Sequence, residues 1–482
     1  MRDTTSLSVG REALYSLASK LAMALVGFGG TVVFARLLGP SGLGVYRTAL
    51  SVAFIATQIS GGVGTAVKKR VSEVDTDPGA FFGAGLIAHA GITIAVLVGL
   101  ALFIDPAAEY FGSIEVALGA VAVVATLGLF NVVNRMYAGI GYPARSSWMD
   151  TIRSVVTLGF QLLFLWVGME AFGLLAGLAL GTLASALLAT VTAGIRPTVP
   201  DREIFKRVYD FARQSVPNGL LANFYSSADV MIITAVVGTA ATGLYTTALQ
   251  LVMPAAMLAG SIGGALGVRT SGRSSAGEAV DQDLLNAMSY TGLFAVPMFF
   301  GALAMPRAIP RTLFGPEFAA AGAALIGMAL FQIGNVYAKP FESTFQGIDQ
   351  PGVVLRVNLL VLVFHLPLAV ILGTEYGLIG VVGATVMAEG IRIAVYQVLA
   401  YREFDRIAVA RPMAEQFVSA GAMYLMLEVV LTTVGVRNWV VLVALVGAGA
   451  AVYFGTLFVI SSHFRATLGS SLPVGLPVFD DE

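Results

Sequence analysis

The chain has 482 residues, 57% of them hydrophobic and only 12% charged, with a formal net charge of −1 and no cysteine. Soluble domains carry about 25% charged residues, so a water-soluble globule is excluded, as are disulfides and thiol chemistry. The near-zero charge identifies no partner by itself, and no nucleic-acid partner is expected.

A bilayer crossing needs roughly 20 mostly apolar residues. On that rule the sequence predicts an all-α polytopic membrane protein of about fourteen spans, near 13–38, 43–66, 80–103, 115–138, 147–168, 172–194, 214–237, 242–268, 284–305, 318–339, 352–373, 377–400, 413–434 and 439–462. Every connection is short. Residues 1–12 are polar, and no A-x-A-like site ends a short apolar core, so the first span is expected to stay in the membrane. Placing the N-terminus inside puts Lys68, Lys69, Arg70, Arg135, Arg145, Arg196, Arg202, Lys206, Arg207, Arg269, Arg273, Lys339, Arg402, Arg406, Arg411 and Arg465 at the inner side. Arg36, Arg47, Arg307, Arg311 and Arg437 fall outside, beside Asp105, Glu109, Glu115, Glu170 and Glu375. The positive-inside rule therefore predicts a multi-pass membrane protein with both termini cytoplasmic, and the membrane is expected to be the plasma membrane.

The chain repeats itself. Gly39, Gly44, Tyr46, Thr48, Ala49 and Leu50 align without a gap on Gly238, Gly243, Tyr245, Thr247, Ala248 and Leu249. Further on, Gly139-Ile140 and Pro143 match Gly347-Ile348 and Pro351; Phe172-Gly173-Leu174 matches Tyr376-Gly377-Leu378; Asp75 and Asp77 echo Asp281 and Asp283. These landmarks predict a six-helix lobe over 1–196, a second over 197–408, and two additional helices with a cytoplasmic tail over 409–482. Six being even, the lobes are expected as parallel repeats around a central cavity.

The segment Ala35-Arg36-Leu37-Leu38-Gly39-Pro40, with Gly42, Gly44 and Tyr46, runs into a second helix that closes on Gly61-Gly62-Val63-Gly64 and a basic cluster. It resembles the start of Wzx-type oligosaccharide flippases of the multidrug/oligosaccharidyl-lipid/polysaccharide exporter superfamily, and the Gly139–Pro143 element and twelve-plus-two plan are similar too. The resemblance implies two six-helix bundles around a cavity. It also implies alternating access that carries a polyprenyl-(pyro)phosphate-linked oligosaccharide from the inner to the outer leaflet for polysaccharide or glycan assembly. The carrier lipid is left open between undecaprenyl and dolichyl. Pathway glycosyltransferases and membrane lipids are the expected partners.

A phosphate-bearing headgroup crossing hydrocarbon needs cationic walls. The candidates for substrate binding are Lys20 on the first span, Arg36 and Arg47 around the repeated turn, Arg153 on the fifth span and Arg356 on the eleventh. Asn131 and Asn335 are candidate polar lining, with Asn134 and Gln332 beside them. Arg47 aligns with Thr246, so the repeat breaks its symmetry there. The competing reading of Lys20, Arg36 and Arg47 is an interfacial anchor. Asp229, on a face shared with Asn218 and Tyr225, and Glu389, three residues from Arg392, are candidates for coupling to H+ or Na+. Asp150 and Arg153 form a second pair at that spacing. Asp75, Asp77, Asp281 and Asp283 read as helix caps. His89, His365 and His463 are scattered, and no phosphate-cradling loop or Ser/His/Asp set appears, so neither metal, cofactor nor covalent catalysis is expected. The alternatives are a cation-coupled multidrug or metabolite exporter of the same superfamily, and a polyprenyl-dependent glycosyltransferase or polymerase.

Overall fold

The computed structural model describes residues 9–73 and 76–471, without the side chains of 9–21, 218–219, 221–223, 225–226 and 468–471. It is helical, with no strand among the described residues. The chain divides into two compact units, Met1–Gly243 and Leu244–Glu482.

The first unit begins with α1 (Val9–Val71), 63 residues long and broken at Gly39, whose φ of 66° and ψ of −176° no helix contains. Glycine alone enters that region cheaply, and Pro40 then starts the next helical segment, where its missing N–H costs nothing. Next come α2 (Pro78–Leu102), the short α3 (Ile104–Phe111), α4 (Ile114–Gly139), α5 (Pro143–Trp166), α6 (Glu170–Ala193) and α7 (Arg202–Val236). Ser113 and Asp201 cap α4 and α7 by accepting from the backbone N–H of Val116 and Ile204. Tyr110 donates to the Met231 carbonyl at 3.3 Å and so ties α3 to α7. Phe81, Phe82, Phe130, Met136 and Tyr137 are among the buried residues of the core that joins α1, α2, α4 and α7.

Helix α8 (Thr239–Ser275) leads into the second unit, which holds α9 (Asp281–Ala304), the short α10 (Ala308–Phe314), α11 (Gly322–Gly347), α12 (Pro351–Phe404), α13 (Arg411–Leu431), α14 (Trp439–Ile460) and α15 (Ser462–Ser471). Like α1, α12 is a broken rod: at Gly377 φ is 60° and ψ −141°. A core around Val296, Met423, Leu427 and Tyr453 packs α9, α13 and α14 together.

Among the described residues, ten helices are long and apolar enough to cross a membrane. Two of them, α1 and α12, run 63 and 54 residues and break in the middle, room for two crossings each. Helices α5 and α7, of 24 and 35 residues, are the other long helices, less apolar because they carry charges such as Asp150, Arg153 and Arg213. The count is compatible with the fourteen spans expected. Trp166, Val191 and Val363 are among many large apolar side chains left exposed, the surface of a multi-pass protein solvated by lipid rather than water.

The sequence repeat returns as backbone geometry. Gly39 and its counterpart Gly238 both take positive φ, 66° and 113°. Gly141 at φ 96° is matched by Asp349 at φ 61°, each two residues before the proline that opens the following helix. The two turns also meet reciprocally. A Cβ on Gly44 would lie 1.7 Å from the Thr239 carbonyl oxygen, and one on Gly243 would lie 2.0 Å from that of Pro40. Since Gly44 aligns with Gly243 and Pro40 with Thr239, each turn inserts its glycine against the other's first helical residue.

One expectation is corrected. Asp77 caps α2, its Oδ1 accepting from Gly79 N at 2.9 Å and Ala80 N at 3.3 Å. Asp283 does not cap: α9 already starts at Asp281, which places Asp283 inside the first turn. Its buried carboxylate instead binds Arg269 at 3.1 Å and Arg273 at 3.0 Å. Asp281 pairs with Arg406 at 2.7 Å. Asp75 lies outside the described residues.

Candidate functional site

The first unit gathers an excess of positive charge inside its helices. The tight turn of residues 140–142 lays α5 against α4, so residues near the end of one face those near the start of the other. Asn134 Nδ2 donates to Asp150 Oδ2 at 3.1 Å, and Ser146 Oγ to the Asn134 carbonyl at 3.1 Å. One turn along α5, Arg153 Nε stands 3.9 Å from Asp150 Oδ1, and its guanidinium lies over the Phe130 ring at 5.2 Å from the centroid. Stacking on an aromatic face suits arginine, which is weakly hydrated and planar.

Helix α1 supplies the rest. Arg47 Nη2 donates to Thr31 Oγ1 at 2.8 Å, a contact that crosses the Gly39 break. Thr31 in turn donates to the Gly27 carbonyl at 2.9 Å. Beside Arg47, the Tyr46 hydroxyl accepts from Gln161 Nε2 at 2.9 Å, and its ring meets Phe34 edge-on at 6.1 Å. Tyr46 interacts electrostatically with both Arg47 and Arg153. Arg135 donates to Thr65 on α1 and lies in the field of Asp150.

Among the described residues, Arg135 and Arg153 both act on the one carboxylate of Asp150, and Tyr46 links Arg153 to Arg47, so positive charge exceeds negative here. Arginine forks match the paired oxygens of phosphate.

Of the predicted substrate residues, Arg47 and Arg153 are in this group, and half-buried Asn131 lies one turn before Asn134 on α4. Arg36 is exposed near the end of the first segment of α1. Arg356 is exposed on α12, its Nε donating to the Gly352 carbonyl at 3.1 Å. Asn335 is half-buried on α11 in the second unit. The Lys20, Asn218 and Tyr225 side chains lie outside the described residues. Asp229 is 7% exposed on α7. Arg135, Tyr46 and Gln161 are additions that the sequence did not mark as site residues. The signal for Arg135 was its place directly after Asn131 and Asn134, which counting it as an inner-loop charge concealed.

In the second unit the charges on α11 and the second segment of α12 pair off. Glu389 Oε2 lies 3.3 Å from Arg392 Nη1 on the second segment of α12, both deeply buried. On α11, Lys339 Nζ donates to Glu342 Oε2 at 2.8 Å. His365 Nε2 lies 3.4 Å from Thr385 Oγ1.

Known proteins share this plan. A "Probable low-salt glycan biosynthesis flippase Agl15" of Haloferax volcanii is 25% identical over 391 residues, 79% of this chain and 81% of the relative. A "Probable flippase AglR" of the same organism is 22% identical over 473 residues, 95% of this chain and 97% of the relative. In fold, the chain is similar to the lipid II flippase MurJ in an inward closed conformation, with a TM-score of 0.79 and 16% identity over 95% of this chain and 99% of that one. An inward-facing multidrug resistance MATE family transporter of the MOP superfamily superimposes with a TM-score of 0.55 and 18% identity over 82% and 96%. The family described as polysaccharide biosynthesis protein matches residues 33–322, which include the arginine group and both copies of the repeated turn. With more than half of its length matched, this chain belongs to that polysaccharide biosynthesis protein family.

Proposed function

We propose that this protein is a flippase that moves a polyprenyl-(pyro)phosphate-linked oligosaccharide from the inner to the outer leaflet. The carrying observation is the surplus of positive charge formed by Arg47, Arg135 and Arg153 within membrane helices of the first unit. The headgroup phosphate docks on these cations, since an anion in hydrocarbon is prohibitively costly without them. Lys20, Arg36 and Arg356 are further candidates for binding the phosphate, and Asn131 and Asn335 for binding sugar hydroxyls. The isoprenoid, undecaprenyl or dolichyl, stays in the bilayer.

Transport proceeds without covalent catalysis, by alternating access of a lobe over 1–196 and a lobe over 197–408, with 409–482 appended. Asp229 and Glu389 couple the motion to H+ or Na+. The protein sits in the plasma membrane with both termini cytoplasmic, beside the glycosyltransferases that build its substrate. The names of the two Haloferax relatives support this reading, and the fold likeness to MurJ is in keeping with it. A cation-coupled exporter is the second reading; it calls for an acid-dominated site, and the group in the first unit is basic.

The test is sided. Cells lacking the gene should accumulate lipid-linked glycan on the inner leaflet, and the purified protein in liposomes should expose added lipid-linked glycan to an external glycosidase. Unchanged sidedness in the deletion strain refutes the flippase.

A further inference from the structure

Two ion pairs face each other inside the second unit, apart from the arginine group of the first. Glu389 and Arg392 stand one turn apart on α12, 1% and 4% exposed. Lys339 and Glu342, the pair on α11, and His365 on the first segment of α12 all lie within electrostatic reach of Glu389. Tyr396, one turn beyond Arg392, also senses Glu389 and stacks on Phe341 and Phe345 at 5.5 and 6.1 Å. The Glu389 side chain packs on Gly334, where any Cβ would approach its Cγ to 2.5 Å.

Among the described residues neither carboxylate oxygen of Glu389 accepts a hydrogen bond, and its only close counter-charge is Arg392 at 3.3 Å. A buried carboxylate is tolerated as an anion when donors satisfy its oxygens; this one lacks them. A metal cation does not complete the site. Hard cations take several oxygen ligands, no group of three His, Asp or Glu gathers among the described residues, and Arg392, Lys339 and His365 surround the acid. A proton needs no such cage.

We propose that Glu389 is a proton-binding site in the second unit. The carboxylate gains one proton and becomes a neutral acid, no covalent bond breaks, and the four charged residues pass from zero net charge to one positive charge around Arg392. Proton uptake thereby favours an anion approaching this unit. The inference rests on the ion-coupling part of the proposed function and selects H+ between the two ions left open there.

The experiment is infrared pH-difference spectroscopy on the full-length protein in liposomes, with flipping measured in the same vesicles. The protein should show a titrating carboxylic acid C=O band that Glu389→Gln abolishes and Glu342→Gln keeps. In protein labelled with carbon-13 at the glutamate side-chain carboxyl the band should shift, a measurement that does not depend on a variant folding. A band that persists in Glu389→Gln, or that the label leaves in place, overturns the proton site and leaves the flippase reading untouched. Loss of the band in vesicles whose unsubstituted protein flips nothing supports the site and overturns the flippase.

Discussion

Asp150 gives the arginine group a test of sign. If Arg153 receives phosphate, the phosphate sits on the guanidinium away from Asp150, about 8 Å from the carboxylate given the 3.9 Å between Arg153 and Asp150. At an effective dielectric of about 20, the repulsion there is about 2 kcal/mol. The Asp150 side chain is 40% exposed, so solvent screening leaves roughly half, or about fivefold in affinity. Asp150→Asn keeps an acceptor for Asn134 and removes only the charge, so half-saturation should fall about fivefold. Arg153→Gln removes a charge-assisted hydrogen bond of about 1.5–3 kcal/mol and should raise half-saturation roughly 10- to 100-fold. The assay is flipping of lipid-linked glycan in proteoliposomes over a range of substrate densities. If both variants move the same way, or neither moves by more than about twofold, the group is structural and the phosphate assignment is wrong.

Three further outcomes follow from the packing. Gly44→Ala and Gly243→Ala force a methyl into a carbonyl 1.7 or 2.0 Å away; overpacking of this kind costs about 1–3 kcal/mol, and thermal unfolding in detergent should show both variants less stable, with unchanged melting counting against the reciprocal contact. Gly141→Ala should cost about 1–2 kcal/mol at φ 96°, whereas Asp349→Gly at the matching position should be neutral or stabilising; the reverse order would contradict the shared turn. Asp283→Asn loses the charge that Arg269 and Arg273 share. Because both arginines reach solvent, the loss should be only about 1–2 kcal/mol, read as lower thermal stability, whereas Asp77→Asn, which keeps the capping oxygen, should be nearly neutral.

The helical class, the broken rods at Gly39 and Gly377 and the duplicated turns were legible because each rests on local chemistry. Long apolar runs define spans, and Gly-Pro or paired glycines punctuate them. What faces what was less legible. In a soluble helix one apolar stripe marks the buried side, but a membrane helix is apolar all round, so periodicity no longer separates core from lipid. Tyr46 meets Gln161 across 115 positions, and Arg135 reaches Thr65 across 70; neither pairing leaves a trace in spacing. Asp283 misled for a related reason. An acid before a helix looks the same whether it caps or binds an arginine, and the position of the helix start decides between them.

The same turn built twice carries different charge each time. Arg47 in the first copy stands where the second has Thr246, which is buried, and among the described residues the arginine group of the first unit carries more positive than negative charge, while Lys339–Glu342 and Glu389–Arg392 in the second pair off. Backbone symmetry and charge asymmetry do separate work under the proposed function. Matched turns give the two copies the same backbone frame, with Gly39 and Gly238 both at positive φ. Unequal charge makes one unit hold the anion, so binding is specific to one side of the duplicated frame. A cation at position 246 would erase that difference. Thr246→Arg should therefore bind lipid-linked glycan at least as tightly as the parent chain but flip it more slowly, because a second cation holds the headgroup against release. Turnover and half-saturation measured together decide it, and a variant with unchanged turnover would show that the asymmetry at this turn plays no part in transport.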